Sequence, residues 1–137
     1  MSKGGSWIRP YNRRMINAAH VLLFSANPAA DRAFFLDTLQ LPHVDVGHGW
    51  LIFKLPPSEV AVHPIDPDTT AAADGTMPAS LYLMCEDVGE TIARLQAQHV
   101  TCSPVKTEQW GKVTLVSLPS GAKIGLYEPT HPTAHDL

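Results

Sequence analysis

Cysteine is scarce in this sequence: Cys85 and Cys102 are the two in 137 residues. Two such thiols build neither a disulfide framework nor a Cys-x-x-Cys redox or metal site, so they read as reduced thiols of a cytoplasmic protein. Charge is also sparse, at 17% of residues, and the net charge of −3 gives no general attraction to nucleic acid or acidic membranes. Neither is expected as a partner. No apolar run approaches the roughly 20 residues of a membrane span, and Tyr11-Asn12-Arg13-Arg14 interrupts any secretory leader pattern. The glycine pairs Gly4-Gly5 and Gly47-x-Gly49 lack the strand and helix that frame a phosphate loop. No nucleophile elbow or kinase signature is present either.

What remains is an ordinary globular composition, 45% hydrophobic, in one domain long enough to bury a core. Basic residues gather at the head, with Lys3, Arg9, Arg13 and Arg14 in residues 1–15, which reads as a flexible solvated tail. The first ordered element is Ala18 to Ser25, a short apolar run that predicts a strand buried on both faces. Asn27-Pro28 then supplies a cap and a first-turn proline for a helix running to about Gln40, where Leu41-Pro42 stops it. Trp50 to Leu55 and Val60 to His63 predict two further strands, parted by Pro56-Pro57-Ser58, with a shorter one at Val44-Asp45-Val46.

From 65 to 78 the chain turns to Pro, Asp, Thr, Ala and Gly, the composition of a linker. The pattern then restarts. Ser80 to Cys85 predicts a strand, and Asp87 with Glu90 has capping-box spacing before a helix that buries Val88, Ile92 and Leu95. Val113 to Leu118 and Lys123 to Tyr127 predict two strands joined at Pro119-Ser120-Gly121. His20 and Ser80 lie about 60 residues apart, as do the two helix starts, so the chain reads as an internal repeat. The expectation is an α+β fold of two tandem βαβββ modules, at 16–64 and 79–130, with 131–137 a C-terminal tail.

This arrangement resembles the vicinal oxygen chelate superfamily, which includes glyoxalases, bleomycin-resistance proteins and dioxygenases. His20-Val21-Leu22-Leu23 followed by Asp31-Arg32-Ala33-Phe34-Phe35 is similar to that family's opening strand and helix. Trp110-Gly111-Lys112 and the run from Leu118 to Pro129 are similar to its closing hairpin. The resemblance implies paired modules curled around a cavity, often in a homodimer, with metal ligands on strands that open and close each module. His20 matches one such position. Ser80, Val60 and Gly125 stand at the other three, and valine and glycine side chains offer a metal no donor.

The resemblance therefore implies metal-independent capture of a small organic ligand, with no cofactor. The alternative is a lyase, isomerase or dioxygenase using a divalent metal such as Zn, Ni, Mn or Fe, held by His20 with His63, Glu59 or Glu128. A third reading is an assembly module. Strand alternation places Ser80, Tyr82 and Met84 on one face and Gly125 and Tyr127 on another, and the resemblance turns both toward the cavity. Ligand-binding candidates are thus His20, Trp50, Ser80, Tyr82, Met84, Trp110 and Tyr127. His48 reads as a loop residue and Cys85 as a core thiol facing the helix.

Overall fold

The computed structural model describes residues 18, 20–65, 67–69 and 71–137; the tail expected at 1–15 lies outside them. In the second half the chain builds one mixed sheet. Strands β3 (Tyr82–Met84), β4 (Lys106–Glu108), β5 (Gly111–Ser117) and β6 (Lys123–Pro129) lie in the order β3-β6-β5-β4. The β3–β6 pair is parallel and the others antiparallel. Parallel pairing demands a crossover. Helix α2 (Val88–Gln96), between β3 and β4, provides it. The strand β4 had no forecast; its residues are all exposed and carry no alternation to read.

Helix α2 starts where its sequence says. The Asp87 carboxylate accepts a hydrogen bond from the Glu90 N–H at 3.0 Å, and the Glu128 carboxylate accepts one from the Val88 N–H at 3.1 Å. Replacing Asp87 with alanine is expected to cost about 1 kcal/mol of stability, read from the midpoint of denaturant unfolding.

In the first half, α1 (Pro28–Ala33) is capped by Asn27, whose side chain accepts from the Ala30 N–H at 3.3 Å. The helix continues through a π turn at Phe34–Thr38 and ends with Gln40 at φ 55°, a left-handed C-terminal geometry. Strands β1 (His43–Asp45) and β2 (Leu51–Phe53) form an antiparallel hairpin. Between them His48, at φ 56°, sits in the turn with Gly47 and Gly49, a loop residue as its sequence context suggests.

Phe34 joins Val88, Leu95, Val116, Leu118, Ile124 and Leu126 in one core, so the first helix packs into the second half. A polar clamp reinforces this junction. The buried Asp31 carboxylate accepts from the Ser25 hydroxyl at 2.6 Å and from the Ser120 N–H at 3.0 Å.

Two expected strands do not form. Between His20 and Ser25 the structure has no strand, and Leu22 and Phe24 are 66% and 91% exposed. Val60 to His63 is likewise outside any strand, with Val60 91% exposed. A strand exists by hydrogen bonding to a neighbour. The apolar run predicted cover on both faces, and the described residues of one chain supply it on neither. The stretch at 65–78 has no helix or strand among its described residues.

Candidate functional site

The sheet has two unlike faces. Leu83, Val116, Ile124 and Leu126 point toward the helices and the core. By alternation, Tyr82 and Met84 of β3, Gly125 and Tyr127 of β6, and Val113 and Leu115 of β5 share the other face. Register confirms the grouping: Tyr82 pairs with Gly125 and Gly125 with Leu115, while Met84 pairs with Tyr127 and Tyr127 with Val113.

On that face the rings gather. The Tyr82, Trp110 and Tyr127 centroids are 6.2, 6.0 and 5.2 Å apart pairwise, with interplanar angles of 85°, 82° and 79°. These are edge-to-face contacts, the arrangement aromatic quadrupoles favour. Trp110 sits in the β4–β5 turn, its carbonyl accepting from the Thr130 N–H at 3.0 Å. Tyr127 is buried, whereas Tyr82 and Trp110 remain 43% and 38% exposed. The cluster is therefore an aromatic platform with an open side. Gly125 makes it possible: a Cβ there would stand 2.1 Å from the Tyr82 ring, which occupies the space itself.

One polar edge borders the platform. The Tyr127 hydroxyl lies 3.0 Å from His131 Nε2, and the Glu59 carboxylate is 4.0 Å from the same nitrogen. Glu59 also accepts from the Ala134 and His135 N–H groups at 2.7 and 3.2 Å, joining the first half to the end of the chain. Burial and the Glu59 charge together push the Tyr127 hydroxyl above its usual pKa. Sequence reasoning weighed Glu59 solely as a metal donor and left His131 in a tail. No local pattern links residues 72 positions apart, 131 less 59, so no sequence signal pointed to the pair.

Of the sequence-derived candidates, the structure brings together Tyr82, Met84, Trp110 and Tyr127. His20, Trp50 and Ser80 are exposed and lie outside the strands of this sheet. Trp50 ends the first hairpin's turn, with the Arg32 guanidinium 4.5 Å over its ring.

No protein-family description and no curated protein matches the sequence. Solved structures do. An antibiotic binding protein from a Streptomyces species superposes with a TM-score of 0.56 at 23% identity, covering 84% of this chain and 99% of that one. A lactoylglutathione lyase from Agrobacterium tumefaciens gives 0.55 at 15% identity, covering 83% and 95%. A glyoxalase family protein from Enterococcus faecalis gives 0.51 at 22% identity, covering 72% and 86%.

The chain has the fold of these glyoxalase-type structures. That fold implies a metal in some of its enzymes, and the residues here do not fit one. Val60 and Gly125 carry no donor, and the Tyr82 ring fills the space over Gly125. Glu128 points to the helix face and caps α2. Glu59 is engaged by the two N–H groups of the chain end, and His63 is exposed. Among the described residues no three His, Cys, Asp or Glu side chains gather at a metal-binding spacing.

Nucleophilic chemistry finds no better support in this glyoxalase fold. Burial pushes the Cys85 and Cys102 thiols above their ordinary pKa, and Cys85 packs against the core. Both are expected to react with a thiol reagent at neutral pH severalfold more slowly than free cysteine, a rate followed by absorbance. A separate crevice of about 320 Å³ opens between Phe34 and Thr38 on one side and residues 98–101 and 117–119 on the other. It lies on the helix side of the sheet, away from the aromatic platform.

Proposed function

We propose that this protein captures a flat organic ligand against the Tyr82–Trp110–Tyr127 platform and performs no chemistry on it. The observation that carries the reading is the edge-to-face cluster held open on one sheet face. Stacking surface with few polar groups suits a planar, weakly polar molecule. The fold it shares with an antibiotic binding protein supports the same reading.

The platform needs a cover, and the exposed apolar segments of the first half need burial. Leu22, Phe24, Val60 and Val62 are 66%, 91%, 91% and 82% exposed. Our reading joins the two requirements in a homodimer: these segments of one copy close over the platform of the other, bringing His20, Trp50 and Ser80 toward the ligand. The same reading takes the protein as cytoplasmic, with the two unpaired thiols Cys85 and Cys102 as its support.

The test is a calorimetric and fluorescence-quenching screen of planar aromatic compounds, with light scattering for mass. Binding that weakens about tenfold or more in Trp110→Ala, by a dimer, is the expected result. Among the described residues no helix is long and apolar enough to cross a membrane. A protein that binds none of the panel, yet holds a stoichiometric divalent metal, sinks the proposal in favour of a metal-dependent lyase, isomerase or dioxygenase.

A further inference from the structure

Three groups meet at the edge of the aromatic platform, and their hydrogen bonds fix where the protons sit. His131 Nδ1 is 2.7 Å from the carbonyl of Pro132, an acceptor with nothing to donate. In the neutral ring the proton is therefore on Nδ1, and Nε2 presents a bare lone pair. The Tyr127 oxygen, 3.0 Å from Nε2, must be the donor in that bond. With the ring neutral, its hydrogen is thus committed to His131. What the Tyr127 oxygen has left is acceptor capacity.

The remaining contacts hold this arrangement in place. The imidazole lies against the Tyr127 ring, centroids 5.9 Å apart and tilted 31°. The carboxylate of Glu59, fixed by two backbone N–H groups, stands 4.0 Å from Nε2, too far to take a hydrogen bond from it. Both Tyr127 and Glu59 address the same ring nitrogen, so the ring does not pass a proton between them. His131 is a positioning residue.

Resting on the capture reading above, we propose that His131 makes Tyr127 a hydrogen-bond acceptor toward the ligand. The platform then selects planar aromatics that carry an O–H or N–H donor at the ring edge. A ligand offering just a carbonyl or ether there would meet oxygen lone pairs and lose the contact.

The experiment compares β-naphthol with its methyl ether, which have the same ring and differ in the donor. Affinities come from quenching of tryptophan fluorescence in the 137-residue chain. Wild type is expected to prefer the naphthol about fivefold, the worth of one good neutral hydrogen bond. In Tyr127→Phe and in His131→Phe, which keeps a ring against residue 127, that preference falls toward unity. Nitrogen NMR of the ligand-free protein reads the tautomer directly, and the His131 proton is expected on Nδ1. Equal wild-type affinity for the two compounds, a preference that survives both substitutions, or a proton on Nε2 overturns the inference while leaving ligand capture standing. Failure of wild type to bind either compound overturns this inference, while the panel and metal analysis above decide the capture reading.

Discussion

Replacing Asp31 with alanine is expected to lower stability by about 3 kcal/mol, or roughly 10 °C in Tm. The carboxylate is 6% exposed and receives hydrogen bonds from the Ser25 hydroxyl and the Ser120 N–H. Removing it strands two donors at a junction between the first helix and the β5–β6 turn. Burial by itself raises the pKa of Asp31, but the bonds from Ser25 and Ser120 outweigh it and leave the group below its ordinary 3.8. A depressed folded-state pKa contributes stability that is fully present above the unfolded value and is lost as pH falls through the folded value. Acid unfolding of the wild type should therefore steepen below about pH 4. Asp31→Asn keeps one acceptor and cannot titrate, so its stability should change less with pH over the same window. If wild type and Asp31→Asn show parallel acid curves, the clamp has been misread.

How much of this was legible depended on whether an element's partners lie nearby in sequence. Helix α2 announces itself through Asp87, Glu90 and the Val88–Ile92–Leu95 stripe, all within one local window, and it forms as the spacing predicts. The same holds for the β5–β6 hairpin around Pro119-Ser120-Gly121. His20 to Ser25 carries as clear an apolar signal, yet a strand also needs an edge to bind, which composition does not encode. Alternation grouped Tyr82 with Met84 and Gly125 with Tyr127, because side-chain direction in a strand is a matter of parity, and the family resemblance turned both groups toward one cavity. Glu59 and His131 were out of reach for the opposite reason: their contact depends on how the chain end folds back.

Gly125 is the position where one methyl group should do the most to the site. Glycine in a strand is ordinarily a weakness, and alanine would gain about 0.5–1 kcal/mol from backbone entropy alone. Here the added Cβ would fall 2.1, 2.4 and 2.6 Å from three carbons of the Tyr82 ring, one of them the root of that ring, Cγ. No small bend of a flexible tip relieves such a clash; the ring must leave. Its departure breaks the edge-to-face contacts with Trp110 and Tyr127, about 0.5–1.5 kcal/mol each, beyond the strain of overpacking. Gly125→Ala is thus expected to lose about 2 kcal/mol of stability and at least tenfold in ligand affinity. Sign reversal in a second background makes the test sharp. Once Tyr82 is alanine, the clash is gone and the entropic gain remains, so Gly125→Ala should now stabilise by a few tenths to about 1 kcal/mol. A double-mutant cycle by urea unfolding measures both effects, and a penalty that persists without the Tyr82 ring would show that the glycine serves the backbone instead.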